Sequence, residues 1–476
     1  MKKLPLIALI PVLTLFVVSC EGGFGSQEEL ESAPSARFYV YDNTEPYGEE
    51  NVKNYYEITA YQRAVRNKCE IWVEKGANVS EAEARQIAGE YDTKIYPVIN
   101  GAFGFTVEFD DGAIEALDYG DVDGNGRLLI LLLDIRDGYK NPNDSYVAGY
   151  FGGNDLYSRE FFPYSNETDM IYLDINPGKK GTQQFYATIA HEMQHLIHSL
   201  ANLAIRSDEN TYREQELWID EGLSSAAEYL YLGNHTATGR VSWFNADRDG
   251  TIAKGNNFFV WDNGLDEYAT VYLFFQWLRI QAGGNQIYQD IITSGDIGYQ
   301  AVSGPAGNRF DDDTYKNWET LLRAWFAANY INASAGPYGY KGEISPQIHT
   351  IPSRTTSILL KPGEGVYSKL NGSNSFSDSG NIKYSELEKA KADKMLLTFN
   401  KNSSTGGKAE SGQTTGIAAS IQPGDVTASR AAADSAPQGP YPIGVRDYLG
   451  GRQPGPGVPQ VPDRGKLSGA RAYVKP

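Results

Sequence analysis

Cysteine is almost absent: only Cys20 and Cys69 occur in 476 residues. A disulfide framework is thereby excluded, and a chain this long must rest on buried apolar cores, divided among two or three domains. Basic charge is also scarce. Lys and Arg number 42 against 60 Asp and Glu, a formal net charge of −18. That balance argues against a nucleic-acid partner, whose phosphates demand basic patches. It identifies no substrate and fits a solvated acidic surface. With only five histidines in the chain, any pairing of them carries weight. After residue 20, no apolar run approaches the ~20 residues that cross a bilayer.

The start of the chain is different. Residues 1–20 read MKKLPLIALIPVLTLFVVSC, with Lys2 and Lys3 ahead of an apolar run from Leu4 to Val18. The run is short and interrupted by Pro, which fits a signal peptide better than a spanning helix. Val17-Val18-Ser19-Cys20 resembles a bacterial lipobox, in which the Cys is lipidated and becomes the mature N-terminus. The expectation is a lipid-anchored protein of the cell envelope or surface, outside the cytoplasm, attached to the membrane through Cys20. Cys69 would then be a small buried hydrophobe. Residues 21–35 are acidic, carry Gly and Ser, and suit a tether.

Structured sequence is expected from Arg37–Val40, a strand. Apolar positions between 52 and 93 recur at helical spacing, most clearly in Ser80–Tyr91. Strands follow at Thr106–Phe109, Arg127–Ile135, Tyr146–Phe151 and Met170–Ile175. Of these, RLLILLLDI reads as a central strand buried on both faces. The period then changes. Phe185, Ile189, Met193, Leu196, Ile197 and Leu200 lie three or four apart and mark an amphipathic helix. Further helices are expected over about Trp218–Leu232, Tyr268–Gln281 and Trp318–Tyr330. Strands before helices give an α+β order. The division is 36–202 for a β-rich half with the first long helix and 203–345 for a helical half. A small β module follows at 350–402. The Gly-, Pro-, Ser- and Ala-rich residues 403–476 read as a disordered tail.

The first long helix carries His191-Glu192-Met193-Gln194-His195, an HExxH motif. Residues four apart share a helix face, so both imidazoles can reach one metal ion. Zinc lowers the pKa of water, and a carboxylate beside the first His can take the proton as that water attacks a carbonyl. Glu192 is the expected general base. A catalytic zinc needs a third protein ligand and an open position. Metzincins continue as HExxHxxGxxH, but His198 and Ala201 stand where that pattern needs Gly and His. Gluzincins take a Glu from a following helix, and Trp218-Ile219-Asp220-Glu221-Gly222 offers Glu221, 26 residues after His195. His198, one turn past His195, reads as a helix-surface residue, with a role near the metal or substrate as the alternative. His235 could reach the cleft, and His349 lies in a linker-like stretch.

TIAHEMQHLIH followed by ELWIDEGLSSAAEY resembles the hyicolysin family of bacterial metallopeptidases, where the two helices read HEfQH and WlnEGlse. AGYFGGNDLYS, MIYLDI and YATVYLFFQWL are similar too, and the resemblance covers about residues 100–285. It implies a zincin-like catalytic domain, a twisted mixed sheet plus the HExxH helix and then a helical subdomain, with zinc on His191, His195 and Glu221. Glu192 would be the base and a peptide or protein the substrate. Many gluzincins place Asp four residues past the ligand Glu, bonded to a zinc-binding His. Here that position is Ser225, so Ser225, Asp220 and Glu228 are all candidates for orienting the histidines. Tyr268 and Tyr272 are candidates for stabilising the oxyanion. Tyr146–Phe151 is the candidate edge strand for an extended substrate. The expected activity is that of a zinc endopeptidase. A gluzincin aminopeptidase is the alternative, although no GAMEN-like segment lies upstream. So is a surface binding protein on the same scaffold.

Asp121-Val122-Asp123-Gly124-Asn125-Gly126 resembles the first half of a calcium loop. Position twelve is Leu132 instead of Glu. Calcium at Asp121, Asp123 and Asn125 therefore competes with an Asx/Gly turn that feeds the following strand.

Overall fold

A computed structural model of the chain describes residues 33–44, residues 54–402 apart from short gaps, and strands at 418–422 and 473–475. The gaps are 110–111, 142–145, 208–211, 249, 256–258, 260–263, 352–359, 371–375 and 391–392. The expected signal peptide, Cys20 and nearly all of the tether lie outside the described residues. Among the described residues, no helix is long and apolar enough to cross a membrane.

The strands are β1 (Ser35–Tyr41), β2 (Tyr55–Val65), β3 (Cys69–Glu74), β4 (Thr106–Phe109), β5 (Gly112–Glu115), β6 (Leu128–Leu133), β7 (Tyr146–Phe151), β8 (Met170–Asp174), β9 (Thr350–Ile351), β10 (Gly365–Lys369), β11 (Ile382–Ala390), β12 (Asp393–Asn400), β13 (Ala418–Gln422) and β14 (Tyr473–Lys475). The α-helices are α1 (Glu81–Glu90), α2 (Tyr96–Phe103), α3 (Ala116–Gly120), α4 (Gln183–Ala201), α5 (Leu217–Leu232), α6 (Arg240–Ala246), α7 (Leu265–Ala282), α8 (Gln286–Ile292), α9 (Tyr299–Arg309) and α10 (Trp318–Ile331). The class is α+β.

The main sheet has the order β1-β2-β3-β6-β8-β7-β13. Its centre, β3-β6-β8, is parallel, and its flanks are antiparallel. In β6 the alternation of a strand sends Leu128, Ile130 and Leu132 into one apolar cluster and Leu129, Leu131 and Leu133 into another. The first cluster is shared with the helices. The second is built from strand residues and Ile135 just past β6, with Tyr150 stacked on Tyr172 at 4.1 Å between centroids.

The helical spacing across 52–93 holds only from residue 81 onward. Residues 55–74 instead form β2 and β3. In β2 the buried positions Ile58, Ala60 and Ala64 follow period two amid Tyr and Thr, which favour strands. In β3 every residue from Cys69 to Val73 is buried, as in a central strand. Cys69 is fully buried and unbridged, with its thiol pushed well up by burial.

The C-terminal module is a separate sheet, β11-β12-β10-β9. Two pieces of the expected disordered tail pair as strands: β13 on β7 and β14 on β4. The outer side of β7, the candidate edge strand, is thus already paired, with Ala418 opposite Phe151 and Gln422 opposite Tyr146.

The site is positioned by α4 and α5. Thr182 caps α4 by accepting from the Phe185 amide. All residues from Phe185 to Ala201 are buried, so the helix lies in the core and shows solvent no face beyond its first turn. Trp218 anchors the start of α5 against Phe259, Phe274, Phe275 and Trp318, and its indole donates to Glu216 at 2.5 Å. At Gly222 any side chain would run into the Phe275 ring of α7. The Trp and Gly that flank Glu221 are thereby explained by packing.

Candidate metal centre

The two imidazoles sit one turn apart on the same face of α4, as the four-residue spacing requires, edge to face with ring centroids 4.8 Å apart. Glu221 enters from α5. Its Oε2 lies 3.4 Å from His191 Nε2 and 3.7 Å from His195 Nε2. None of these three buried atoms has a hydrogen-bond partner among the described residues. A tetrahedral zinc with bonds of ~2.0–2.1 Å separates neighbouring donor atoms by roughly 3.3–3.4 Å. The two nitrogens and the oxygen therefore fit such an ion in type and in spacing. His191, Glu192, His195 and Glu221 are each 0–1% exposed. A carboxylate cluster this dry needs positive charge close by. Burial opposes protonation of His191, but Glu221, Glu228 and Glu192 outweigh it and push the imidazole up to about 10. A dication answers the same excess of negative charge.

The outer nitrogens of both histidines are occupied. His191 Nδ1 is 2.9 Å from Glu228 Oε1. His195 Nδ1 is 3.0 Å from Asp220 Oδ1 and 3.0 Å from Ser224 Oγ. Such contacts leave Nε2 as the lone-pair nitrogen that faces a metal. Asp220, Glu221, Ser224 and Glu228 lie on one side of α5, because steps of three, four and seven residues return to the same face. Of the three residues weighed for orienting the histidines, Glu228 and Asp220 touch them. The Ser225 hydroxyl does not; its neighbour Ser224 does, and no motif had singled that residue out.

His198 is not on the surface. It is fully buried, with Nδ1 2.8 Å from the Asp220 oxygen that also faces His195. The helix-surface reading fails because α4 is enclosed on all sides.

The two tyrosines separate. The Tyr268 ring centroid lies 6.5 Å from that of His191, and the residue is fully buried. Burial first, then the charge of Glu221, holds its phenol well above the ordinary value, so it stays a donor. Tyr272, one turn on, is bonded to His235 Nδ1 at 2.7 Å. His235 stacks on Tyr229 at 4.2 Å and reaches Glu343 at 3.4 Å. His349 bonds the backbone carbonyl of Asn245 at 2.8 Å.

The calcium expectation is not supported. The Asn125 amide N–H donates to Asp121 Oδ1 and Asp123 Oδ1, both at 3.0 Å, and its side-chain Nδ2 donates to Asp123 Oδ2 at 2.8 Å. Asn125 thus acts as a donor closing an Asx turn. Asp121 and Asp123 gather with Asp169 instead.

A stretch of 233 residues is 30% identical to the "Neutral metalloprotease ShpI" of Staphylococcus hyicus, covering 47% of this chain and 48% of that protein. The chain spans about half the length of the curated relative it matches. A solved M1 zinc metallopeptidase from Deinococcus radiodurans superposes over 62% of this chain and 61% of its own, at 11% identity and a TM-score of 0.27. No family model matches the chain.

Proposed function

We propose that the chain is a zinc-dependent metalloendopeptidase acting outside the cytoplasm, attached to a membrane through Cys20. The observation that carries the reading is the convergence of His191 Nε2, His195 Nε2 and Glu221 Oε2 on one point, with Glu192 on the same helix. The neutral metalloprotease relative supports it over the matched stretch.

His191, His195 and Glu221 would hold the ion. Zinc bound there supplies Lewis acidity toward a peptide carbonyl and toward water. Glu192 takes the proton of the attacking water and passes it to the departing amine. Tyr268 donates to the carbonyl oxygen as negative charge develops on it. Glu228 and Asp220 keep each imidazole turned toward the ion. Tyr272 is engaged by His235 and has the weaker claim to the oxyanion.

Glu192→Gln keeps the shape and removes the base. Hydrolysis should fall roughly 10²–10⁴-fold, with zinc content unchanged by metal analysis. Full activity in that variant would end the assignment of Glu192. A peptide blocked at its N-terminus separates the two peptidase readings. An endopeptidase cleaves it, and an aminopeptidase leaves it intact.

A further inference from the structure

Arg240 lies next to the metal centre and belongs to no motif. It opens α6 directly after Gly239, whose φ of +73° is a backbone state that glycine adopts freely. Its side chain is wholly buried, which is rare for arginine unless it is paired. Nη2 donates to Glu228 Oε1 at 2.5 Å, and that same oxygen faces His191 Nδ1 at 2.9 Å. The guanidinium carbon sits 4.9 Å from the centre of the Tyr268 ring and 4.8 Å from that of Trp243. Nε and Nη1 have no hydrogen-bond partner among the described residues. The buried cation is thus held by one carboxylate and two aromatic rings.

We propose that Arg240 is a positioning residue of the metal centre: it clamps Glu228, Glu228 fixes the His191 ring, and this chain of three sets how tightly His191 holds zinc. The inference rests on the metal site of the proposed function. A carboxylate buried around His191 with Glu192 and Glu221 is expensive to keep without a cation. Without the guanidinium, Glu228 Oε1 loses the contact that fixes it opposite His191 Nδ1, and the ring is free to turn. Arginine suits the position because its planar charge lies between two aromatic rings while still reaching the carboxylate. The Tyr268 contact joins this arm of the site to the candidate oxyanion donor.

The test is zinc affinity by chelator competition on the full chain, with thermal unfolding alongside. Removing an outer partner of a metal-binding histidine typically weakens binding about 10–100-fold. Arg240→Gln should lose that much, and Arg240→Lys, which keeps the cation, should recover most of it. In the double variant with Glu228→Gln, Arg240→Gln should cost nothing beyond Glu228→Gln alone, since both act through one chain. The double variant leaves no carboxylate at position 228 to be stranded without its cation, so it serves even if Arg240→Gln alone does not fold. Wild-type zinc affinity in folded Arg240→Gln overturns the proposal, as does a further tenfold loss in the double variant. A purely structural role would lower the melting temperature and leave zinc affinity alone. A wild-type chain that binds no zinc would instead end the functional reading itself, with this inference.

Discussion

Away from the metal, Asp155 shows what burial does to a single carboxyl. It accepts from the Tyr172 hydroxyl at 2.6 Å and from the Asn166 amide at 2.8 Å. Burial outweighs these bonds and pushes it from 3.8 up to about 7. Between those values the folded chain keeps a proton that the unfolded chain has released. Stability therefore falls as pH rises through the window and levels off above it, by up to about 1.4 kcal/mol per pH unit. Asp155→Asn removes the titration. The variant should gain on the wild type between pH 4.5 and 8, as read from urea unfolding at both ends. A gap of constant size would reject the argument. At the same scale, some site residues were readable and others were not. His191, Glu192 and His195 share one helix at a spacing that physics dictates. Arg240 meets Glu228 only because the chain turns back after α5, and nothing in the sequence around residue 240 announces it. His198 has the periodicity of a surface position, and only the packing around α4 shows that it is buried.

At the scale of elements, the contact of α5 with α7 decides whether Glu221 reaches the histidines. Gly222 packs directly on the Phe275 ring in that contact. Gly222→Ala would have to displace the Phe275 ring, and overpacking of this kind costs about 1–3 kcal/mol. The same shift carries the adjacent Glu221 away from His191. We expect a lowered melting temperature together with weakened zinc binding. A variant that loses stability and keeps wild-type zinc affinity would show that the helix contact and the metal geometry are independent. Long elements with one dominant period were legible: β6, β8, α4, α5, α7 and α10 fall close to their expected positions. β2 and β3 were not, because short runs of apolar and aromatic residues satisfy helical spacing by chance, and only pairing with β1 and β6 reveals them as strands. The short helices α2, α3, α6 and α8 carry too few turns for a period to show, and in α9 Gly304, Pro305 and Gly307 read as breakers instead.

For the whole molecule, the order of strands first and helices after was legible and gave the α+β class. The pairing of β13 with β7 was not, since its partners are more than 250 residues apart. The three residues proposed to hold the ion come from two helices that are already locked into one apolar cluster by residues such as Ile189, Met193, Leu223 and Phe275. The ion is therefore not needed to assemble them. Chelation should abolish hydrolysis and leave the far-ultraviolet circular dichroism unchanged. The melting temperature should fall by the linkage amount alone, and added zinc should restore activity. Unfolding on chelation would show instead that the metal holds the two halves together.

The enclosure of α4 also sets a clock. An amide exchanges its hydrogen only when it opens to water, and a helix covered from Phe185 to Ala201 has no partial opening available to it. Its amides should exchange at the rate of global unfolding, while those of the solvent-exposed strand β5 exchange far sooner. The segment bearing both histidines would then be among the last to breathe. A ligand could come and go many times within the lifetime of a single closed helix.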